Sequence, residues 1–485
     1  MKVQASEKTD GLVMLSDQDN WGALCEVKEE GMNFPLINKA ESELILEKGT
    51  VVARGRDADD ENFFRLKRKS ELTVNQISVS VSDESKEIVE ADIYCGDDVP
   101  RSYKLELVQL LNKYRMVIAT QMKELGLTDL TEFDIEEVEG SRPVRSKPYR
   151  LSEVEREALR SIVRQLEDAG MIERSRAEYA SPVLLVKKAD GGFRMVIDYR
   201  RLNKQTVKLN YPLPLIDDVL QGVANKAIFS TFDLAWGYFQ IPMSKRASEK
   251  AAFVTPEGHF QPKVLMMGLC NAPAVFQEMM VRVRDMIGNQ QAFPFLDDVI
   301  TASVRYKEHL EQIEKILEAL RTSGLTVRLE KCKFFMAEVE FLGFRLSKGG
   351  IQPGTRKLKA VEEFPRPNDV HEVRRFLGLT SFFRRFVVNY ATRASPLTEL
   401  LRKGAEFLWG GACEKAFQEL KGELLKKPIL ISFKSGLETE LHTDASGVGL
   451  GAILLQKSAN DGRWRMVYAI SRKLPIQNGI ITPRS

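Results

Sequence analysis

At 485 residues, 43% hydrophobic and 29% charged, the chain has the balance of a folded globular protein and the length for more than one domain. No apolar run approaches the roughly 18–20 residues that span a bilayer, and the polar start MKVQASEKTDG is no secretory signal; five scattered cysteines and four histidines without ligand spacing argue against a disulfide scaffold or a zinc site. The net charge of +3 divides unevenly, with 17 Lys/Arg against 30 Asp/Glu over residues 1–140 and 54 against 38 beyond, which suits a polyanion-binding body behind an acidic leader.

Residues 1–95 alternate short β-like runs (GLVML, LILEKGTVVARG, VNQISVSVS) with charged turns and predict a small β-rich unit with a linker. KLELVQLLNKYRMVI, from Lys104, has a helical period, and residues 130–148 read as an extended connector. Ser152 and Glu155 form a capping-box pair ahead of the apolar stripe Val154, Leu159, Ile162, Val163 and Leu166, and Gly170 is placed to end that helix. VLLVKKADGGFRMVID predicts a β-hairpin turning at Asp190-Gly191-Gly192. Beyond Asp298, Leu310, Ile313, Ile316, Leu317 and Leu320 mark one face of a helix, and Asp369 with Glu372 caps another that carries VRRFLGLTSFFRRF. Strands and helices mix without a βαβ rhythm, so the expected class is α+β.

Four Asp-Asp pairs occur, at 59–60, 97–98, 217–218 and 297–298. The first two sit in polar, turn-like surroundings, and Asp217-Asp218 stands at a helix start, where carboxylates complement the dipole. Asp297-Asp298 lies between AFPFL and VI, and buried carboxylates in a strand need a counter-charge. A hairpin tip open to water meets that need, and so does a cation. Asp233 tips the balance: it interrupts the apolar strand IFSTFDLAWGYFQIPM, and one acid on one strand with two on a neighbouring hairpin suits a pair of Mg²⁺ ions at a phosphate.

The blocks SPVLLVKKADGGFRMVIDYRRLNKQT, FSTFDLAWGYFQI, MGLCNAPAVFQ, FLDD, LEKCKFF, FLGFRLSKGGI, RRFLGLTSFFRRF and LHTDASGVGLGAILLQ resemble, in order and spacing, the reverse transcriptases of gypsy-type LTR retrotransposons. The resemblance runs from about residue 100 to 474 and implies a right-hand polymerase of fingers, palm and thumb with an RNase H-like α/β unit behind it. It implies metal ligation by Asp233, Asp297 and Asp298, with two Mg²⁺ ions (or Mn²⁺) as cofactor. Tyr238 would floor the sugar pocket, or be a core tyrosine. Lys187 and Arg194 would hold the triphosphate, with Lys188 a solvated neighbour. Lys331 would lie near the pyrophosphate, or be a surface lysine. Leu342 and Gly343 would sit in the hairpin that positions the primer, and the arginines of the segment Arg374–Arg385 would contact phosphates.

The implied division is 1–95, resembling the end of a retropepsin region without its DTG or DSG triplet; 96–148, connector; 149–346, fingers and palm; 347–408, thumb and connection; and 409–485, RNase H-like. Asp444 in HTDAS matches the first metal ligand of RNase H, but the later acids of that family are missing and Asp461 is the only acid after it, so this unit is expected to be truncated and inactive. Phe295 stands where the family has Tyr, and Met266-Met267 where it has Pro-Phe. Expected partners are an RNA template, a DNA primer or RNA–DNA hybrid, dNTPs and other Pol or Gag products, with no membrane, inside the cell in cytoplasm or virus-like particles with nuclear access open. The competing expectation is an inactive remnant that binds nucleic acid.

Overall fold

The computed structural model describes residues 87–188, 191–288, 291–446, 449–459 and 461–474, together with backbone strands between residues 2 and 65. It divides into two units, Met1–Glu84 and Ser85–Ser485. In the first, Gly22–Val27, Gly11–Ser16, Arg54–Asp57 and Phe63–Arg65 form an antiparallel sheet in that order, so GLVML is a strand as expected. VNQISVSVS lies outside the described residues.

The second unit begins ahead of the expected division at 95. Ile88 and Ile93 are already buried in its core, followed by Val99, and Asn112 ties Ile88 down with a bond in each direction at 2.9 Å. Their three apolar side chains are spaced irregularly among acids, so no period betrays them. Asn112 stands on α1 (Arg101–Lys113). The connector then leads to α2 (Glu153–Asp168), where Ser152 and Glu155 form the expected capping box and Gly170 turns left-handed at φ +71°.

A five-stranded sheet follows, built from β1 (Ile172–Arg174), β2 (Ser181–Lys187), β3 (Phe193–Ile197), β4 (Phe253–Thr255) and β5 (Gly258–Pro262) in the order β1-β5-β4-β2-β3. Its hairpin β2–β3 is the predicted one, although Asp190 itself is outside the described residues.

Between the strands of that sheet the chain makes α3 (Ile216–Gly222) and then β6 (Ile228–Asp233). Helix α4 (Ala272–Ile287), the hairpin β7 (Phe293–Phe295) with β8 (Asp298–Ser303), helix α5 (Tyr306–Thr322) and β9 (Lys333–Met336) come next. The second sheet has the order β7-β8-β6-β9, all antiparallel. It is buried on both faces: Ile228, Phe232 and Val299 enter one hydrophobic core, while Phe229, Ile300 and Ala302 enter another. Period-two alternation therefore separates two cores rather than core from water, which is why these strands read as continuous apolar runs.

A three-stranded meander, β10 (Glu338–Phe341), β11 (Phe344–Ser347) and β12 (Gly350–Pro353), leads into α6 (Thr355–Glu362) and α7 (Val370–Ser381). Asp369 caps α7 by accepting from the Glu372 amide at 2.7 Å, and Glu372 accepts in return from the amide of Asn368. Helix α8 (Gly411–Leu425) precedes a last antiparallel sheet of β13 (Thr439–Ala445), β14 (Gly449–Lys457) and β15 (Trp464–Lys473). No helix among the described residues is long and apolar enough to cross a membrane. Every element of the unit beyond residue 85 fits an α+β class.

Candidate active site

Register brings the acids together. Asp233 is the last residue of β6 and Asp298 the first of β8, and the two lie directly opposite each other in the ladder. Directly opposed side chains share a face at close range. Asp297 occupies the tip between β7 and β8, and its carbonyl accepts from the Leu234 amide at 3.2 Å. Burial pushes the Asp233 carboxyl up, and the charge of Asp297 adds to that while Lys331 opposes it. Asp298 is pushed up to about 6, first by burial and then by the charges of Asp297 and Asp233. Each carboxylate thus raises the cost of its neighbours' charge, a conflict that a cation relieves.

The turn that carries Asp297 is strained and held by its surroundings. Leu296, at φ +53°, starts the two-residue turn in the left-handed region, which costs a bulky residue about 1–3 kcal/mol. The turn is held by Gln277, buried on α4, whose Oε1 accepts from the Leu296 amide at 2.9 Å. Behind Asp233, Trp236 is also left-handed, and a Cβ on Gly237 would come within 2.9 Å of the Phe276 ring. Gln240 is fully buried beneath this turn: its Nε2 donates to the carbonyls of Ala235 and Thr326, and its Oε1 accepts from the Thr326 amide at 2.7 Å. Farther back on β6, Ser230 meets buried His309 at 2.7 Å, and the other ring nitrogen of His309 meets Ser303 at 3.0 Å. Burial drives the His309 pKa down to about 3, so the ring is neutral.

Lys331 is no idle surface lysine: its Nζ stands 3.1 and 3.2 Å from the two oxygens of Asp233. A cleft of about 160 Å³ opens here, lined among others by Asp233, Asp298, Lys331, Glu340 and Leu342. Leu342 and Gly343 form the turn between β10 and β11, both with positive φ (+50° and +83°), as a tight two-residue hairpin requires. Tyr238 is half-buried against Phe276 at 5.0 Å, and burial followed by the charge of Asp297 pushes its hydroxyl pKa up.

Other expected residues fall elsewhere. Lys187 pairs with Phe193 and Arg194 with Val186, so the pleat directs the two cations to opposite faces of the hairpin. Lys187 and Lys188 are exposed; the Glu155 carboxyl is lowered first by the bonds it accepts from the Ser152 amide and hydroxyl, and the charge of Lys187 adds a smaller effect. Met266 is buried in the core, which leaves Met267 as the exposed member of that pair. The arginines of Arg374–Arg385 do not all face outward, as expected of phosphate contacts. Arg385 is buried, ion-paired with Asp217 at the start of α3, and stacked 4.5 Å from the Phe344 ring. Asp217 therefore has a partner besides the helix dipole. Asp444 stands on β13, every residue of which is exposed, opposite Gly451.

Among the described residues no three His, Cys, Asp or Glu side chains close an all-protein metal cage. The donor chemistry nevertheless fits Mg²⁺, which takes one or two carboxylates and leaves its other positions to water and phosphate oxygens. Oxygen-only donors, two of them opposed and both with raised pKa, supply that set.

Residues 186–346 match the family model of reverse transcriptase (RNA-dependent DNA polymerase), and 409–478 match the RNase H-like domain found in reverse transcriptase. The chain carries a reverse transcriptase domain. A retrovirus-related Pol polyprotein from transposon 297 of Drosophila melanogaster is 34% identical over 372 residues, covering 74% of this chain and 34% of the relative; that from transposon gypsy is 32% identical over 78% of this chain and 38% of the relative. The chain thus spans little more than a third of the length of these relatives. A foamy viral protease-reverse transcriptase, solved in complex with double-stranded DNA, shares the fold at TM-score 0.72 and 22% identity over 84% of this chain and 70% of that one. Within the reverse transcriptase domain lie all three acids and Lys331, Leu342 and Gly343; Gln277 and Gln240, which support the site, were invisible beforehand except as lone amides in apolar segments.

Proposed function

We propose that the chain is an RNA-directed DNA polymerase that extends a primer by nucleotidyl transfer in the cleft between the β7–β8 hairpin and the Leu342-Gly343 turn. The observation that carries this reading is the direct opposition of Asp233 and Asp298, with Asp297 at the adjoining tip, in a cleft that also holds a lysine. Asp233 and Asp297 would be the principal ligands of two divalent cations, with Asp298 in support. Bound there, the metal supplies charge stabilisation at the phosphate and an activated primer 3′-hydroxyl.

The chain's own residues do the rest. Tyr238 would back the sugar, and the Leu342-Gly343 turn would hold the primer end. Arg194 and Lys187 act from the two faces of the fingers hairpin, so both reach a triphosphate only if the hairpin curls over it. Residues 149–346 serve as fingers and palm, 347–408 as thumb and connection, and an RNA template, a primer and dNTPs are the partners. Extension of a DNA primer on an RNA template with Mg²⁺ tests this; incorporation that is the same in the Asp233→Asn chain would sink it.

The RNase H-like domain is assigned no cleavage. Where Asp233 faces Asp298, Asp444 faces Gly451 on an exposed strand. Release of fragments from a labelled RNA–DNA hybrid is the contrary result.

A further inference from the structure

In the cleft a cation is already seated on Asp233. Lys331 Nζ approaches both carboxylate oxygens nearly equally, at 3.1 and 3.2 Å, the way a bridging ion does rather than a single-point contact. Its backbone is fixed relative to β6. Lys331 ends a short 3₁₀ turn, Leu329–Lys331, and the residue before that turn, Arg328, donates its amide to the Asp233 carbonyl at 2.9 Å and lays its guanidinium 5.0 Å from the Trp236 ring. The side chain is unconfined: Lys331 is 55% exposed, against 24% for Asp233. A pinned base and a free four-carbon arm allow the ammonium to leave without any movement of the strand.

The other charged groups around the cleft are committed elsewhere. Lys333 Nζ rests 5.7 Å from the Tyr94 ring, and Glu340 accepts from the Thr355 amide at 2.6 Å, capping α6. Among the described residues, Lys331 is the ammonium in direct contact with Asp233, and its charge also acts on Asp298.

We propose that Lys331 is a displaceable counter-cation: it holds Asp233 before metal arrives, and metal binding transfers its ammonium from Asp233 to the anionic tail of the incoming nucleotide. This rests on the polymerase reading of the same cleft. An ammonium spread over both oxygens and a divalent cation compete for the same carboxylate, and their like charges repel, so loading the metal weakens the pair. The freed ammonium is then an unpaired donor within arm's length of the site, suited to phosphate oxygens. Metal and nucleotide each favour the departed position of Lys331, so each strengthens binding of the other, and by linkage the effect is reciprocal.

The test uses the full chain and Mn²⁺ alone, with free Mn²⁺ read by electron paramagnetic resonance. Removing the competing ammonium in Lys331→Gln should tighten Mn²⁺ binding about fivefold, the size of a solvent-exposed ion pair. Lys331→Arg, which keeps the charge, should stay near wild type. Lys333→Gln measures the general field of the cleft and should shift affinity less. A second measurement follows nucleotide affinity with Ca²⁺ in place of a catalytic metal: here Lys331→Gln should bind several-fold more weakly.

Unchanged or weaker Mn²⁺ binding in Lys331→Gln overturns the inference, as does an equal shift in Lys333→Gln or undiminished nucleotide affinity. In each of those cases Mn²⁺ binding that disappears in Asp233→Asn leaves the polymerase reading standing. If no variant shows Asp233-dependent Mn²⁺ binding, that reading fails itself.

Discussion

Asp233 and Asp444 sit at the ends of motifs of equal clarity, FSTFD and HTD, on strands of antiparallel sheets, yet the structure treats them differently. Strand β6 is a central strand between two hydrophobic cores, and it meets Asp298, Lys331 and a cleft at its end. Strand β13 is an edge strand, exposed along its length, with a glycine opposite its acid. A motif thus names a residue, but chemistry depends on what the fold sets across from it. Carboxylates forced together in partly buried space create a demand for a cation; one carboxylate in water creates none.

The widest gap between the two acids should appear in activity. Asp233→Asn should lower primer extension by on the order of 10³-fold or more, about 4 kcal/mol of transition-state stabilisation, while the circular dichroism spectrum stays native. An active Asp233→Asn chain would erase the contrast. Stability in acid should separate the regions next. His309 is neutral in the fold with its pKa depressed from 6.5 to about 3, so the unfolded chain takes up the proton first. Stability is therefore present above about pH 6.5 and is lost as pH falls toward 3, by up to about 1.4 kcal/mol per pH unit from this residue. Urea denaturation between pH 7 and 4 should show a shallower loss in His309→Gln, and amides of β6 and β8 should lose exchange protection in acid before the change reaches β14.

Gly343→Ala should have a smaller effect. The added Cβ would meet the flexible end of Lys357, 2.7 Å away, so the main cost is the backbone at φ +83°, about 1–2 kcal/mol in the urea midpoint analysis. Extension should fall with it, because the turn bounds the cleft. Asp444→Asn closes the series with no change in hybrid cleavage, extension or stability. A measurable loss of hybrid cleavage in that variant would make the two acids alike after all.

Local features were legible in the sequence. Ser152 with Glu155, Asp369 with Glu372, the β2–β3 hairpin and the strand ending in Asp233 all announce themselves within a few residues, because caps, turns and period are short-range physics. What escaped depends on partners far along the chain. Arg385 and Asp217 are 168 residues apart, and nothing near Arg385 marks it for burial rather than for phosphate. Gln240 binds Thr326 across 86 residues, and Gln277 reaches the amide of Leu296. Ile88 and Ile93 pack against a core whose other members come much later, so nothing local places the start of the second unit ahead of residue 95. The facing of Lys187 and Arg194 depended on register, which a hairpin of uncertain turn length does not reveal.

One feature bears on motion. Arg385 stacks on Phe344 and on Phe386 while its guanidinium is paired to α3, and Phe344 also packs against Phe382 and Phe383. The helix bearing the exposed arginines and the turn at Leu342-Gly343 consequently share one rigid joint rather than a loose tether. On the proposed polymerase reading, a duplex pulling on α7 would load that joint and with it the turn beside Asp233, so that grip on the nucleic acid and the height of the primer shelf would be geared to each other.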